Sequence, residues 1–329
     1  MRVIPRARLA WRSVRTVRPG GEFALIERLL AHVPSGSGVL VGPGDDAAVV
    51  TGAARMLVTT DMLVEGRHFD LALSSPADVG YKALMVNASD VAAMGGVPRY
   101  AVVAAGVPDA GEAAEQLAEG LGEAARELDV GIVGGDTVAA PQVVISIALL
   151  GEPGERIVTR AGARPGDALC VTGELGAAAA GLGLWRANTT EARELLERFP
   201  GLLRAHRHGR ARVREGGAAA ATGARAMIDL SDGLLADAGH LCAASGVGLD
   251  VDGGAIPLAP GVAEARALLP RLGTGDDYEL AIALPPGRVE ELAGAIAPTP
   301  LTRVGTFTEQ PGLRVDGSPA EPEGWDHFA

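Results

Sequence analysis

Cysteine is nearly absent from the sequence: the 329 residues include only Cys170 and Cys242. The two lie far apart and form no C-x-x-C spacing, so the sequence predicts neither a disulfide framework nor a zinc site. We therefore expect a protein of the reducing cytoplasm.

Basic residues are outnumbered, because 29 Lys and Arg stand against 41 Asp and Glu, which gives a formal net charge of -12. Nucleic acids require a basic surface to offset their phosphates, so this balance excludes nucleic acid as the main partner. No run of about 18 apolar residues is present, and we expect no membrane partner. The composition, 47% hydrophobic and 21% charged, is that of a globular protein long enough for two domains.

The common catalytic signatures are missing as well. The sequence has no G-x-x-x-x-G-K-[ST] loop, kinase-type lysine strand, G-x-S-x-G elbow or H-E-x-x-H helix. The segment from Gly42 to Ala47 matches the dinucleotide fingerprint G-x-G-x-x-A. Only eight residues separate Ala47 from Met56, however, which is too few for the crossover helix of a dinucleotide-binding unit. The stretch is therefore interpreted as strand, turn and strand.

The first 19 residues are rich in arginine, with Arg2, Arg6, Arg8, Arg12, Arg15 and Arg18. A transit peptide or a membrane-surface arm would have this composition. The whole chain has a single lysine, Lys82, so arginine enrichment does not distinguish this segment from the rest. We expect residues 1–20 to be a disordered extension, and deletion of residues 1–19 to leave activity and melting temperature nearly unchanged. The fold is expected to begin near Gly21.

Oxygen ligands are concentrated at residues 58–69, VTTDMLVEGRHF, where an apolar strand pattern meets hydroxyls and a carboxylate. Thr59, Thr60 and Asp61 offer hard oxygen ligands of the kind that Mg²⁺ accepts, and His68 follows on a loop. Taken alone, the stretch is also typical of a strand followed by a turn. The favoured interpretation, a polar site at a strand end, depends on similar patterns elsewhere.

Further acids lie beside glycines, hydroxyls or apolar segments. Asp46 lies in the glycine loop, and Asp90 shares a face with Asn87 on an otherwise apolar helix that begins after Ser75 and ends at Gly95. A buried carboxylate at that position would either cap a neighbouring loop or bind a metal, and the sequence leaves both readings open. The remaining acids are Asp136, after a predicted strand at residues 130–133, and Asp229 and Asp232, on either side of Ser231.

These dispersed carboxylates favour oxygen-bound divalent ions, because the chain has no repeated Cys or His spacing. Magnesium sites combine a few carboxylates with substrate phosphates, so the pattern predicts a nucleotide-polyphosphate site and phosphoryl transfer. The alternation of short strands with helices predicts an α/β fold with mixed sheets. Its two domains are expected at residues 21–151 and 152–329.

Several segments, in their order along the chain, resemble the motifs of the thiamine-monophosphate kinase family: GPGDDAAV, TTDMLVEGRHF, YKALMVNASDVAAMG, GGDT, VTRAGARPGD, IDLSDGL, GDDYEL and GWDHF. The resemblance extends from about Gly21 to Ala329. It places the chain beside aminoimidazole ribonucleotide synthetase and selenophosphate synthetase in one ATP-binding superfamily. It implies a homodimer formed through the N-terminal sheet, and a C-terminal α/β domain that closes over ATP.

The resemblance also implies a set of ligands, with no catalytic residue distinct from those that bind metal. Several magnesium ions would be bound by Asp46, Thr59, Thr60, Asp61, Asp90, Asp136, Asp229 and Asp232. ATP would contact Gly135, Asp136, Arg160 and Ser231. Thiamine monophosphate would contact His68, Asp276 and Trp325.

The implied reaction transfers the γ-phosphoryl of ATP to the phosphate of thiamine monophosphate. That acceptor is mostly dianionic at neutral pH, because its second pKa is about 6, so no general base is required. We expect direct in-line transfer without a phosphoenzyme. A sister ATP-using enzyme of the superfamily and a catalytically silent nucleotide- or metal-binding regulator are the alternatives.

Two positions depart from the family pattern. Where the family usually has Gly-Gly-Glu-Asp-Tyr, this chain has Thr274-Gly275-Asp276-Asp277-Tyr278. The shorter acid at Asp276 must then take the role of the usual glutamate. The position of Trp325 is often another aromatic residue.

Overall fold

The computed structural model describes residues 26, 28–34, 36–43, 48–108, 111–269 and 274–325. The arginine-rich start and Asp46, the first predicted magnesium ligand, lie outside the described residues. Within those ranges no helix is long and apolar enough to cross a membrane.

Strands and helices alternate along the described chain. The strands are β1 Val39–Val41, β2 Val49–Val50, β3 Leu57–Val64, β4 Gly96–Val107, β5 Gly131–Ala139, β6 Val144–Pro153, β7 Ala168–Thr172, β8 Ala226–Asp229, β9 Gly248–Val251, β10 Leu280–Leu284, β11 Leu301–Thr308, β12 Gly312–Val315 and β13 Ser318–Ala320. The α-helices are α1 Pro76–Ala93, α2 Glu112–Glu127, α3 Ala177–Ala187, α4 Thr190–Arg198, α5 Gly201–Arg207, α6 Val213–Thr222, α7 Leu234–Ser245, α8 Val262–Leu268 and α9 Val289–Ile296. Short 3₁₀ turns lie at Gly253–Ala255 and Pro286–Arg288.

The first half of the molecule is built on a four-stranded sheet in the order β3-β6-β4-β5. Strands β4 and β5 are parallel, and the other neighbours are antiparallel. Helices α1 and α2 cover one face, where Leu84, Leu121 and Ile147 share an apolar core. The opposite face exposes apolar side chains, including Val58 on β3 and Val138 on β5.

Helix α1 is fixed on both of its sides. Ser75 caps its start: the Ser75 hydroxyl accepts from the Asp78 N–H at 3.1 Å, and the Asp78 carboxylate accepts from the Ser75 N–H at 2.8 Å. On one side α1 packs tightly on α2, because a Cβ added at Gly80 would lie 1.9 Å from a backbone carbonyl oxygen of α2. On the other side the Ser89 hydroxyl donates to Asp229 at the end of β8, at 2.8 Å. The residues of α1 that face the second half are therefore held in place.

The second half is built on a seven-stranded sheet in the order β13-β12-β9-β11-β7-β10-β8. Its neighbours are antiparallel except β12 and β9, which are parallel. Helix α7 packs on one face, with Leu241 and Phe307 in its core. Helices α6 and α9 pack on the other, around Ile282 and Leu292. Helices α3, α4, α5 and α8 form a separate apolar cluster beside the sheet.

The predicted α/β class with mixed sheets is confirmed, but two predicted strand ends are wrong. Strand β3 continues beyond Asp61 to Val64, because the strand pattern of alternating burial continues through the next three residues. Gly135 and Asp136 likewise lie inside β5, which pairs with β4 as far as Ala139. Alternation along β3 directs Asp61 toward α1 and the adjacent Thr60 to the opposite face.

Candidate active site

A cavity of about 1050 Å³ lies between α1, strand β3 and the loops at one edge of the second sheet. Most of the predicted site residues line it: Thr60, Asp61, His68, Asp90, Asp229, Ser231, Asp232, Asp276 and Trp325. Small-molecule sites typically reach about 1000 Å³ at the upper end, so this cavity has room for more than one ligand.

Three acids from three elements line the cavity near enough for their charges to act on one another: Asp61 on β3, Asp90 on α1 and Asp229 at the end of β8. Burial, reinforced by repulsion from Asp90 and then from other acids including Asp61, raises the pKa of Asp229 to about 7. Burial also raises the pKa of Asp90, against the lowering effect of a hydrogen bond from Thr59. Carboxylates this close resist ionising together unless a cation screens them. We call these three residues the acid end.

Neighbouring polar groups orient the acid end. The Thr59 hydroxyl donates to the Asp90 carboxylate, which links two of the predicted ligands directly. The Asp61 N–H donates to Asn87 Oδ1 at 2.9 Å, and the Asn87 amide donates to a carbonyl one turn earlier in α1. Asn87 therefore holds strand β3 against α1, which explains why a polar residue lies on this apolar helix.

The loop of Ser231 and Asp232 joins the acid end to the segments that carry Thr274 and Trp325. The N–H groups of Asp232 and of the next residue donate to Asp237 Oδ2 at 3.1 and 3.0 Å. The carbonyl of Asp232 accepts from the Thr274 hydroxyl at 3.2 Å and from the Trp325 N–H at 3.1 Å. A loop that carries a candidate metal ligand is thus hydrogen-bonded to two segments on the substrate side.

The donors at the acid end are carboxylate and hydroxyl oxygens, which Mg²⁺ prefers to nitrogen or sulfur, and their mutual repulsion favours cation binding. A tighter group, with possible ligand atoms within 4.8 Å of one another, is Asp232, Asp237 and His240; it is the only such group of three in the described ranges. Asp237 already accepts two backbone hydrogen bonds there. The described residues on this side of β3 that could hold magnesium are Thr59, Asp61, Asp90, Asp229 and Asp232. Thr60 also lines the cavity, but its side chain is directed to the other face of the sheet.

Four of the predicted residues in the described part of the chain do not line the cavity. The first, Thr59, is hydrogen-bonded to Asp90, which does line it. Gly135 and Asp136 lie on β5, at the edge of the four-stranded sheet opposite β3. Three strand spacings, about 14 Å, therefore separate Asp136 from Thr60. Arg160 is exposed near the acid end, where its charge opposes the burial that raises the pKa of Asp90.

The predicted substrate contacts line the same cavity. The Val64 N–H donates to His68 Nδ1 at 3.0 Å, so the neutral ring carries its hydrogen on Nε2. Trp325, with 48% of its surface exposed, forms part of the rim. Asp276 accepts from Lys82 Nζ at 2.6 Å, and the same oxygen lies 2.8 Å from His206 Nδ1.

Sequence reasoning missed Lys82 and His206, which line the cavity beside Asp276. For Lys82 a signal was present, because Lys82, Val86 and Asp90 recur every four residues and so form one stripe of α1. All three line the cavity. No comparable signal marks His206, which lies on α5, a helix that the sequence pattern does not predict.

Comparison with known proteins places this arrangement in a family. The sequence matches the models for AIR synthase related protein, N-terminal domain, over residues 44–152, and C-terminal domain, over residues 164–318. A thiamine-monophosphate kinase of Mycobacterium tuberculosis (strain ATCC 25618 / H37Rv) is 45% identical over 245 residues, which cover 73% of this chain and 72% of the relative.

Two solved structures are similar to the whole chain. The crystal structure of thiamine-monophosphate kinase from Stenotrophomonas maltophilia K279a has a TM-score of 0.79 and 35% identity, and the match covers 91% of this chain and 98% of that one. The structure of AaThiL complexed with AMPPCP and TMP has a TM-score of 0.75 and 33% identity, over 95% and 99% of the two chains. This chain belongs to the AIR synthase related proteins and, within them, to the thiamine-monophosphate kinase family.

Proposed function

We propose that this chain catalyses the ATP-dependent phosphorylation of thiamine monophosphate to thiamine diphosphate. The observation that carries the proposal is one cavity lined both by the acids Asp61, Asp90 and Asp229 and by Asp276, His68 and Trp325. Such a cavity offers a place for phosphates with their cations and a separate place for the organic part of the acceptor. A related structure, AaThiL, is complexed with AMPPCP and TMP.

The chemistry requires positioning more than proton transfer. An oxygen of the acceptor phosphate attacks the γ-phosphorus, the bond from that phosphorus to the bridging oxygen breaks, and ADP leaves with the electron pair. The acceptor is already mostly dianionic at neutral pH, so no side chain need remove a proton. The Nε2–H of His68 is a donor on the cavity wall that is available to the acceptor.

Magnesium is proposed as the cation of the acid end. Bound magnesium would neutralise charge on the phosphate oxygens as the phosphoryl group moves. The residues proposed to hold it are Asp46, Thr59, Thr60, Asp61, Asp90, Asp136, Asp229 and Asp232. Gly135, Asp136, Arg160 and Ser231 are proposed to contact ATP.

A homodimer would explain why Asp136 lies far from the cavity of its own chain. The outer face of the four-stranded sheet exposes Val58, Met62, Val102 and Val138, with relative exposures from 40% to 70%. Exposed apolar patches of this kind mark interaction surfaces. If two copies pack these faces together about a two-fold axis parallel to the strands, β5 of one copy lies over β3 of the other. We propose that Asp136 acts in the site of the partner copy.

Mixed dimers test the shared site. We would co-express Asp61→Asn and Asp136→Asn chains with different tags and purify the heterodimer. One of its two sites would then combine the intact Asp61 of one copy with the intact Asp136 of the other, so about half of the parent activity should return. Each variant alone should be nearly inactive. A heterodimer as inactive as its parents would show that Asp136 serves its own chain.

The activity itself is tested by the choice of acceptor. We expect ADP formation with thiamine monophosphate, ATP and Mg²⁺, and none above background with unphosphorylated thiamine. Asp61→Asn should lower the rate by about 10² or more, because one donor at a preorganised site is lost. Asp70→Asn, at an exposed acid that does not line the cavity, is the matched control and should leave the rate unchanged. Equal turnover of thiamine would contradict the proposal.

A further inference from the structure

Lys82, the single lysine of the chain, is 4% exposed and lies on the cavity side of α1. Its Nζ donates to Asp276 Oδ2 at 2.6 Å and to the His206 carbonyl at 2.8 Å. A buried ammonium is costly unless it is paired and hydrogen-bonded, and here it is both. This contact joins α1 of the first half to two segments of the second half at the cavity wall.

His206 holds the same carboxylate oxygen. Its Nδ1 lies 2.8 Å from Asp276 Oδ2, and because a carboxylate only accepts, the ring carries a hydrogen on Nδ1. Burial alone would raise the pKa of Asp276, but the Lys82 charge and the His206 hydrogen bond hold it below its ordinary value. One oxygen of Asp276 is thus occupied by two protein donors.

The backbone around Asp276 is fixed in an uncommon conformation. Asp276 and Tyr278 have φ values of 67° and 51°, in the left-handed region that favours glycine. Two hydrogen bonds hold this turn: the Asp276 N–H donates to the Ser231 carbonyl at 2.7 Å, and the Tyr278 N–H donates to the Leu230 carbonyl at 2.8 Å. Residues other than glycine adopt this conformation where contacts with the surrounding protein hold them in it, often at ligand sites. The direction of the Asp276 side chain is therefore determined by its neighbours.

The position of Asp276 identifies the part of the acceptor that it faces. Lys82 precedes Asp90 by two turns of α1, which is about 12 Å along the helix axis. Thiamine monophosphate carries its phosphate at one end and its aminopyrimidine at the other, with the thiazolium ring between them. With the phosphate at the acid end, an extended acceptor reaches Asp276 with the aminopyrimidine.

We propose that Lys82 and His206 are positioning residues that hold Asp276 as the acceptor for the amino group of the pyrimidine, and so set selectivity for that end of the substrate. This inference rests on the proposed function, because it assigns the orientation of thiamine monophosphate in the same cavity. A buried acceptor aimed at an N–H group discriminates strongly against an analogue that lacks the group. Oxythiamine monophosphate, in which oxygen replaces that amino group, is such an analogue.

The test compares Lys82→Met with the parent enzyme for both acceptors. Methionine keeps the length and apolar character of the side chain but removes the charge and the donors. We expect the KM for thiamine monophosphate to rise about tenfold, as for loss of one aligned hydrogen bond, and the KM for ATP to change less than twofold. The preference for thiamine monophosphate over oxythiamine monophosphate should fall by a similar factor. Tyr81 is the residue before Lys82 on α1, and its hydroxyl donates to Glu127 on α2. Tyr81→Phe removes that hydrogen bond and should change neither the KM for thiamine monophosphate nor the acceptor preference.

A double-mutant cycle separates positioning from direct contact. If Lys82 acts through Asp276, adding Lys82→Met to Asp276→Asn should change the KM for thiamine monophosphate less than twofold. Provided that the parent phosphorylates thiamine monophosphate, two results would overturn the inference. One is a KM in the double variant that equals the product of the two single effects, and the other is an unchanged acceptor preference in Lys82→Met. Absence of that activity in the parent would instead overturn the proposed function.

His206 provides a second pair of variants should Lys82→Met not fold. Asparagine can place its amide nitrogen near the position of His Nδ1, whereas leucine cannot donate. His206→Leu should therefore lose acceptor preference, and His206→Asn should retain most of it. Equal preference in the two variants would contradict a positioning role for His206.

Discussion

Replacing Asp229 with asparagine should stabilise the metal-free protein. Asp229 is 5% exposed, and burial together with neighbouring acids raises its pKa from 3.8 to about 7. Each unit of pKa difference between the folded and unfolded states corresponds to about 1.4 kcal/mol. The ionised carboxylate of Asp229 therefore lowers the free energy of unfolding by about 4 kcal/mol at pH 8. Asparagine keeps the size of the side chain and can still accept the Ser89 hydrogen bond, but it carries no charge.

The sign of the pH dependence follows from the raised pKa. The destabilisation is absent below the unfolded pKa near 3.8 and complete above the folded pKa near 7. At pH 5 it is about 1–2 kcal/mol, because the native carboxyl is then protonated. The gain from Asp229→Asn should therefore be larger at pH 8 than at pH 5.

Chemical denaturation of protein freed of divalent cations, at pH 5 and pH 8, measures this difference directly. Asp70→Asn is the control and should change the free energy of unfolding by less than about 0.5 kcal/mol at either pH, as expected for an exposed site. A variant at Asp229 that is less stable at pH 8, or whose gain does not vary with pH, would refute the electrostatic account of the acid end.

Two further predictions follow from the same geometry. Mg²⁺ with a non-hydrolysable ATP analogue should raise the melting temperature of the parent at pH 8, and should raise that of Asp229→Asn less, because a ligand stabilises a protein only by binding to its native state. Differential scanning fluorimetry measures both shifts, and equal shifts would show that the ligand binds elsewhere. Gly80→Ala should lower the free energy of unfolding by about 1–3 kcal/mol, since its Cβ would lie 1.9 Å from a carbonyl of α2. The control is Gly217→Ala on α6, where an added Cβ has nothing within 4 Å and should raise the free energy of unfolding by about 0.5–1 kcal/mol. Similar effects of the two variants in denaturant titrations would contradict the close packing of α1 on α2.

The acid end was predictable from sequence because its residues carry a local signal. Asp61, Asp90 and Asp229 each lie within or at the end of an apolar segment, where an unpaired charge requires a reason. Their convergence was expected from the chemistry of magnesium and from the family resemblance, and the cavity brings all three together. The extent of β3 was not predictable, since a polar Thr-Thr-Asp run inside a strand has the composition of a turn.

Other features depend on contacts between segments distant in sequence. The separation of Asp136 from Thr60 is set by the strand order β3-β6-β4-β5, which no local pattern encodes. The pairing of Lys82 with Asp276 joins residues 194 positions apart. Helix α5 and the strands β12 and β13 were also missed, because short elements carry few periods of hydrophobic pattern. Helix α6 was missed because its run of glycine and alanine shows no apolar stripe.

Stereochemical analysis of the product tests direct transfer from ATP to thiamine monophosphate. The donor would be ATP made chiral at the γ-phosphorus with sulfur and oxygen isotopes, and the acceptor would be thiamine monophosphate with Mg²⁺. One in-line displacement predicts the thiophosphoryl group on thiamine diphosphate with inverted configuration, and one ADP for each diphosphate formed. Retention of configuration would demonstrate a phosphoenzyme, and ADP without thiamine diphosphate would contradict the proposed kinase activity.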